Sequence, residues 1–155
     1  MPRILFVEDD PVTIEMLECI SRQYLPCNAK KIKIVTDSSQ AIELLRQRPF
    51  DFVVLDYQLA DGKTAFDVIS FINQQPQHRP EIVMLTTNQE KQTLMEAFRM
   101  GVTHYILKPI HFDVVGRVIQ EISNFHHRNS GMRVMLDQRI PVFRDFKSDV
   151  LHRLS

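Results

Sequence analysis

Five short apolar runs recur along the chain: Ile4–Val7, Ile32–Val35, Phe52–Leu55, Ile82–Leu85 and Tyr105–Leu107. The segments between them have helical periodicity. In the first, Met16, Leu17, Ile20 and Tyr24 share a face, and Asp10-Pro11 reads as a cap followed by the first helical position. The second runs from Ser38 or Ser39 through Ala41, Ile42 and Leu45 toward Pro49. The third covers about 65–75, with Phe66, Ile69 and Ile72. The fourth covers about 89–100, with Leu94, Met95 and Phe98, and Gly101 stops it. The last carries Val115, Val118, Ile119 and Ile122 at i, i+3, i+4, i+7. Strands apolar on both faces, alternating with helices, imply an α/β domain whose parallel sheet is covered on both sides by right-handed crossovers.

In such a sheet, ligands bind at the carboxyl ends of the strands, where strand order reverses. Polar residues collect at that edge. Glu8-Asp9-Asp10 ends the first run, Asp56 the third, Thr86 follows the fourth and Lys108 the fifth. Carboxylates do not converge for stability, because like charges at close range repel. A hard divalent cation such as Mg²⁺ suits Glu8, Asp9 and Asp56, and phosphoryl chemistry suits the cation. Asp56 is then a candidate nucleophile, with Lys108 and the Thr86 hydroxyl as donors to phosphoryl oxygens.

Composition removes other classes. The 155 residues suit one domain with an appendage, and 44% apolar content suits a packed core. Nineteen basic and nineteen acidic side chains balance, so no global field points to nucleic acid or a membrane surface. The apolar runs are too short to span a bilayer, and Glu8-Asp9-Asp10 interrupts the first before it could serve as a signal peptide. Cys19 and Cys27 have no metal-ligand spacing and read as reduced thiols of a cytoplasmic protein.

The set Glu8-Asp9, Asp56, Thr86 and Lys108-Pro109, with Tyr105 three residues before the lysine, resembles the receiver domain of bacterial two-component response regulators over about residues 2 to 127. The resemblance implies a flavodoxin-like (βα)5 three-layer sandwich with strand order 2-1-3-4-5. It implies that a sensor histidine kinase or histidine phosphotransfer protein phosphorylates Asp56. Mg²⁺ would be held by Glu8, Asp9, Asp56 and the Gln58 carbonyl, and the Lys108-Pro109 bond would be cis. Thr86 and Tyr105 would move together toward the phosphoryl group, changing the surface of the fourth helix, fifth strand and fifth helix for an output protein or a second copy. Gln58, Thr87 and Asn88 would tune access to the acyl phosphate and its hydrolysis, the two amides giving moderate self-dephosphorylation.

The chain departs from the family after Asp56. Leu59 is followed by Ala60 instead of proline, Gly62 comes early, and Thr64 stands at a usual glycine. This keeps open a receiver-like interaction module working without phosphorylation. A haloacid-dehalogenase-type phosphatase, also an aspartate nucleophile with Mg²⁺, is disfavoured by Gln58, where that family needs a second aspartate. The expected protein is a switch, whose only catalysis is its own phosphorylation and dephosphorylation.

Plainer roles are expected elsewhere. Asp10 caps a helix; Asp51, Asp61 and Asp67 are solvated loop or helix-end residues; Tyr105 is either core or switch. His104 and His111 flank the fifth strand toward the output face, and His126-His127 decorates a helix end. Residues 1–128 form the receiver and 129–155 a C-terminal extension, broken off at Asn129-Ser130-Gly131. Arg133–Leu136 reads as a short strand or helix turn. Pro141, Val142, Phe143, Phe146, Val150, Leu151 and Leu154 give an amphipathic helix over 141–154, for dimerisation or docking. The extension is too short for a standard DNA-binding domain.

Overall fold

The computed structural model describes residues 2–25, 31–124, 132–137, 139 and 144–146, with only the backbone of 122–124. Cys27, His126-His127, the Asn129-Ser130-Gly131 break and most of 141–154 lie outside the described residues, as does the side chain of Ile122. Strands β1 (Ile4–Val7), β2 (Ile32–Val35), β3 (Phe52–Leu55), β4 (Glu81–Thr86) and β5 (His104–Leu107) alternate with helices α1 (Pro11–Tyr24), α2 (Ser38–Gln47), α3 (Ala65–Gln74), α4 (Lys91–Met100) and α5 (Phe112–Asn124). Two further strands follow, β6 (Arg133–Met135) and β7 (Arg144–Asp145). The sheet order is β2-β1-β3-β4-β5-β6-β7, parallel except for the antiparallel β6–β7 pair. This is a flavodoxin-like order, 2-1-3-4-5, with strands added at its C-terminal side.

The period-two alternation of the strands divides the core. Leu5, Val7, Val53, Leu55, Ile82, Met84, Tyr105 and Leu107 face one layer, where they meet Ala41 of α2, Ile69 of α3 and Leu94 of α4. Ile4, Phe6, Phe52, Val54, Val83, Leu85 and Ile106 face the other, against Leu17 and Ile20 of α1 and Val115, Val118 and Ile119 of α5. Local chemistry places the helices on these faces. Asp10 caps α1 by accepting from the Thr13 amide at 2.9 Å and hydroxyl at 2.6 Å, which holds its carboxyl below the usual range. Thr64 and Asp67 form a reciprocal capping box on α3. Gly101, at φ 93°, ends α4 in the left-handed region that favours glycine.

α1 and α5 meet closely enough that Gly116 has no room for a side chain. A Cβ there would lie 2.3 Å from Cδ2 of Tyr24. Gly116→Ala is therefore expected to destabilise the fold by about 1–3 kcal/mol through overpacking, although alanine is the better helix former. Urea unfolding checks this, and Tyr24→Ala in the same chain should recover part of the loss.

Within the described residues of the extension, the expected strand or helix turn at Arg133–Leu136 is a strand, whereas the expected helix is not found at Arg144–Asp145. β6 pairs with β5 in the register His104↔Arg133, Tyr105↔Val134 and Ile106↔Met135. Arg144–Asp145, expected in a helix, form β7 against β6, with Arg133 opposite Asp145. The Phe146 amide donates to the Met132 carbonyl at 2.9 Å, and its ring stacks on Phe98 at 5.1 Å. The apolar stripe over 141–154 is compatible with a helix in isolation, but the open edge of the sheet supplies backbone partners that local periodicity does not reveal. His104 is corrected by the same packing: it is fully buried in β5 and not on an outer face, whereas His111 is exposed.

Candidate functional site

The carboxyl edge is assembled by the sheet ladder running one step past the strands. The Glu8 amide donates to Val35 O at 2.9 Å, Asp56 N to Val7 O at 3.1 Å, and Lys108 N to Thr86 O at 2.9 Å. Residues from four strand ends are thus fixed by backbone before any side chain acts. The topological reversal lies beside β1 and β3, which puts Glu8, Asp9 and Asp56 together at the position where such sheets bind ligands.

Lys108 Nζ lies 2.8 Å from Glu8 Oε2 and 3.0 Å from Asp56 Oδ2. Glu8 is 2% exposed, and its Oε1 accepts from the Asp9 and Asp10 amides, both at 3.1 Å. Burial pushes the Glu8 carboxyl above its ordinary range, and the Lys108 bond only partly offsets this. For Lys108, burial pulls the ammonium down, but its bonds to Glu8 and Asp56 outweigh that and the net direction is up. The lysine is therefore held charged between two carboxylates.

One oxygen each from Glu8, Asp9 and Asp56 lies within 4.8 Å of the others. Glu8 is buried, Asp56 half-buried and Asp9 exposed, so the cluster grades from the core to solvent. An all-oxygen, multiply anionic set with a solvent-facing side fits a hard divalent cation that keeps part of its water shell. Gln58, two residues after Asp56, is exposed at the same loop.

The loop after Asp56 is closed, despite its departure from the family pattern. Gln58 and Thr64 form an antiparallel bridge, Leu59 N donates to Lys63 O at 3.0 Å, and Gly62 takes φ 77° at the turn. Ala60 N donates to Thr36 O at 3.3 Å, and Leu59 is buried. Asp61 is exposed, as read from sequence, and accepts from the buried Ser38 hydroxyl, which lowers its carboxyl below the usual range. Asp67 belongs to the capping box described above. Asp51 sits at the opposite edge of the sheet, accepting from Arg3 N at 2.7 Å and facing His78 at 3.6 Å.

Thr86 is buried, and its Oγ1 accepts from Asn88 N at 3.2 Å. Thr87 is exposed and Asn88 half-buried. Tyr105 lies wholly inside, and its hydroxyl donates to Asn88 O at 2.6 Å. The Lys108-Pro109 peptide is cis. Sequence reasoning missed the residues that back Tyr105 from outside β5, namely Met132 and Val134, which join the same core cluster. The alternation Met132-x-Val134-x-Leu136 was the available signal.

Burial, then the negative charge around it, raises the Tyr105 phenol above its ordinary value. The unfolded phenol ionises near pH ~10, so above that pH the native state holds a proton that the unfolded state loses. The Tyr105 contribution is present below pH ~10 and is lost as pH rises further. Stability should thus fall more steeply above pH ~10 than in Tyr105→Phe, a difference readable by urea unfolding at stepped pH.

A family model for the response regulator receiver domain matches residues 4–120. A rice two-component response regulator, ORR22 of Oryza sativa subsp. indica, is 30% identical over 127 residues, covering 77% of this chain and 16% of its own length. The chain thus spans a small fraction of the length of that relative. Two solved structures share the fold. The phosphorylated cyanobacterial phytochrome response regulator RcpA has TM-score 0.66 at 23% identity, covering 80% of this chain and 92% of its own. The receiver domain of sensor histidine kinase PA1611 from Pseudomonas aeruginosa PAO1, with magnesium coordinated in its active site cleft, has TM-score 0.65 at 24% identity, covering 77% and 95%. The order of the strands, the carboxylates at their ends and the match over residues 4–120 lead to one conclusion: the chain belongs to the response regulator receiver domains of two-component systems.

Proposed function

We propose that Asp56 accepts a phosphoryl group from a phosphohistidine on a sensor histidine kinase or histidine phosphotransfer protein, and that the chain then changes its binding to an output protein or a second copy. The observation that carries this is the Lys108 ammonium held between Glu8 and Asp56 at 2.8 and 3.0 Å, beside the exposed Asp9. A core ion pair would not be built at a solvent-facing strand end with an extra carboxylate beside it.

In the proposed transfer, Asp56 Oδ attacks phosphorus. The O–P bond forms as the N–P bond to histidine breaks, and the electron pair returns to the imidazole. Glu8, Asp9, Asp56 and the Gln58 carbonyl would hold Mg²⁺, which when bound would neutralise charge on the phosphoryl oxygens. Lys108 balances the same charge from the other side, and the Thr86 hydroxyl donates to an oxygen while still accepting from Asn88. Gln58, Thr87 and Asn88 stand where side chains control water reaching the acyl phosphate. The bound Mg²⁺ found in the PA1611 receiver and the phosphorylated state of RcpA support this reading by analogy.

Incubation of the full chain with Mg²⁺ and labelled acetyl phosphate tests it. The expected result is a base-labile label at Asp56 that decays over repeated cycles without release from other phosphoesters. Many-turnover hydrolysis of phosphoesters would make the chain a phosphatase. No label under any donor would leave it an unphosphorylated interaction module.

A further inference from the structure

The described part of the extension is built onto the element that the proposed switch uses. β6 is hydrogen-bonded along β5, with Val134 opposite Tyr105 and Arg133 N donating to Thr103 O at 2.9 Å. Met132 and Val134 share a core cluster with Tyr105, Leu94 and Ala97, and Phe146 packs against it while stacking on Phe98 of α4. One side of this assembly leads back to the site. Tyr105 Oη donates to Asn88 O at 2.6 Å, and Asn88 N donates to Thr86 Oγ1 at 3.2 Å. From these contacts we infer that the β6–β7 hairpin is an intramolecular partner of the switch, coupled positively to phosphorylation of Asp56 through Thr86, Asn88 and Tyr105. The inference rests on the proposed function and extends it to regulation.

The sign follows from hydrogen-bond chemistry. A phosphoryl oxygen accepts a hydrogen bond from the Thr86 hydroxyl and leaves the hydroxyl's lone pairs to the Asn88 amide. A hydroxyl that donates to an anion is polarised into a better acceptor, so its bond from the Asn88 amide tightens instead of breaking, which holds the Asn88 backbone where its carbonyl, on the next peptide unit, accepts from Tyr105. The tightened chain fixes Tyr105 inward, and inward Tyr105 is the surface on which Met132 and Val134 pack. The docked hairpin favours the same ring position from the other side. Two ligands that prefer one state reinforce each other, and the effect is reciprocal. The hairpin is also the element best placed to respond, since its strands span only Arg133–Met135 and Arg144–Asp145. With β5 already paired on its outer edge, a second chain cannot add a strand there without displacing β6.

Amide exchange resolved by NMR on the full chain, with and without Mg²⁺ and beryllium trifluoride as the phosphoryl analogue, tests the coupling. The Arg133 and Phe146 amides should exchange about tenfold more slowly with the analogue bound, and Tyr105→Phe should abolish the slowing. Phe146→Ala, which loosens the hairpin far from Asp56, should weaken analogue binding severalfold. Analogue bound at Asp56 with no slowing at Arg133 and Phe146, or full slowing in Tyr105→Phe, overturns the inference and leaves the proposed function standing. No analogue binding removes both.

Discussion

Asp56→Asn is expected to reduce phosphoryl labelling to background, with the fold intact. No neighbouring carboxylate can substitute. Glu8 is buried, with Oε1 committed to two amides and Oε2 to Lys108. Asp9 is exposed and lacks a lysine ammonium at hydrogen-bond distance among the described contacts. The stability change should stay within about 1 kcal/mol, because the lost Asp56–Lys108 pair is offset by relief of repulsion on Glu8. Labelling with acetyl phosphate and urea unfolding of the same preparation check both parts. Label persisting elsewhere at the wild-type level would show that the acceptor is misassigned.

Lys108→Met should have the largest effect on stability within the site. It keeps most of the apolar stem and removes only the charge. Glu8 and Asp56, with side chains 3% and 16% exposed, are then left facing each other without a cation. Breaking a buried pair by removing one partner costs about 3–5 kcal/mol, and the partial exposure of Asp56 brings the expectation to the lower end. Millimolar Mg²⁺ should restore part of it by replacing the missing charge. It should also bind at least about tenfold more tightly than to the unaltered chain, since a unit charge at ~4 Å acts with several kcal/mol at an intermediate dielectric. Phosphoryl uptake should still fall by about 10²-fold or more, because the donor on the transferred group is gone. Urea unfolding with and without Mg²⁺, Mg²⁺ titration and labelling separate these effects. Unchanged stability without Mg²⁺ would show that the bridge contributes nothing to the fold.

The five strand–helix repeats were legible because each signal is local. An apolar run at Phe52–Leu55 buried on both faces has one physical solution beside amphipathic helices, and Asp10-Pro11 and Gly101 mark helix ends by their own backbone chemistry. The site was legible for a related reason. Glu8, Asp9, Asp56, Thr86 and Lys108 each sit directly at or after a strand, so finding the strands was enough to bring the residues to one edge. Asp61 is exposed in its loop, as read, but its partner stayed hidden because the Ser38 hydroxyl is distant in sequence and buried at the start of α2. The closed loop from Gln58 to Thr64 was equally hidden, since it depends on how α3 is capped and on Thr36, just past the end of β2.

The C-terminal extension shows where local reading ends. Phe143, Phe146 and Val150 have helical spacing, yet Arg144–Asp145 are a strand. His104 looked like a surface residue at a strand boundary, yet it is enclosed, because β5 is not the edge of this sheet. By itself, the sequence determined the alternating elements, the parallel sheet and the group of acidic, hydroxyl and basic residues at its carboxyl edge. All of these follow from periodicity and from which residue ends each strand. Only the tertiary structure decided that Tyr105 is inside, that β6 lies along β5 and that β7 lies along β6. Those depend on which backbone edge is left open once the core has formed, and no local window of sequence contains that edge.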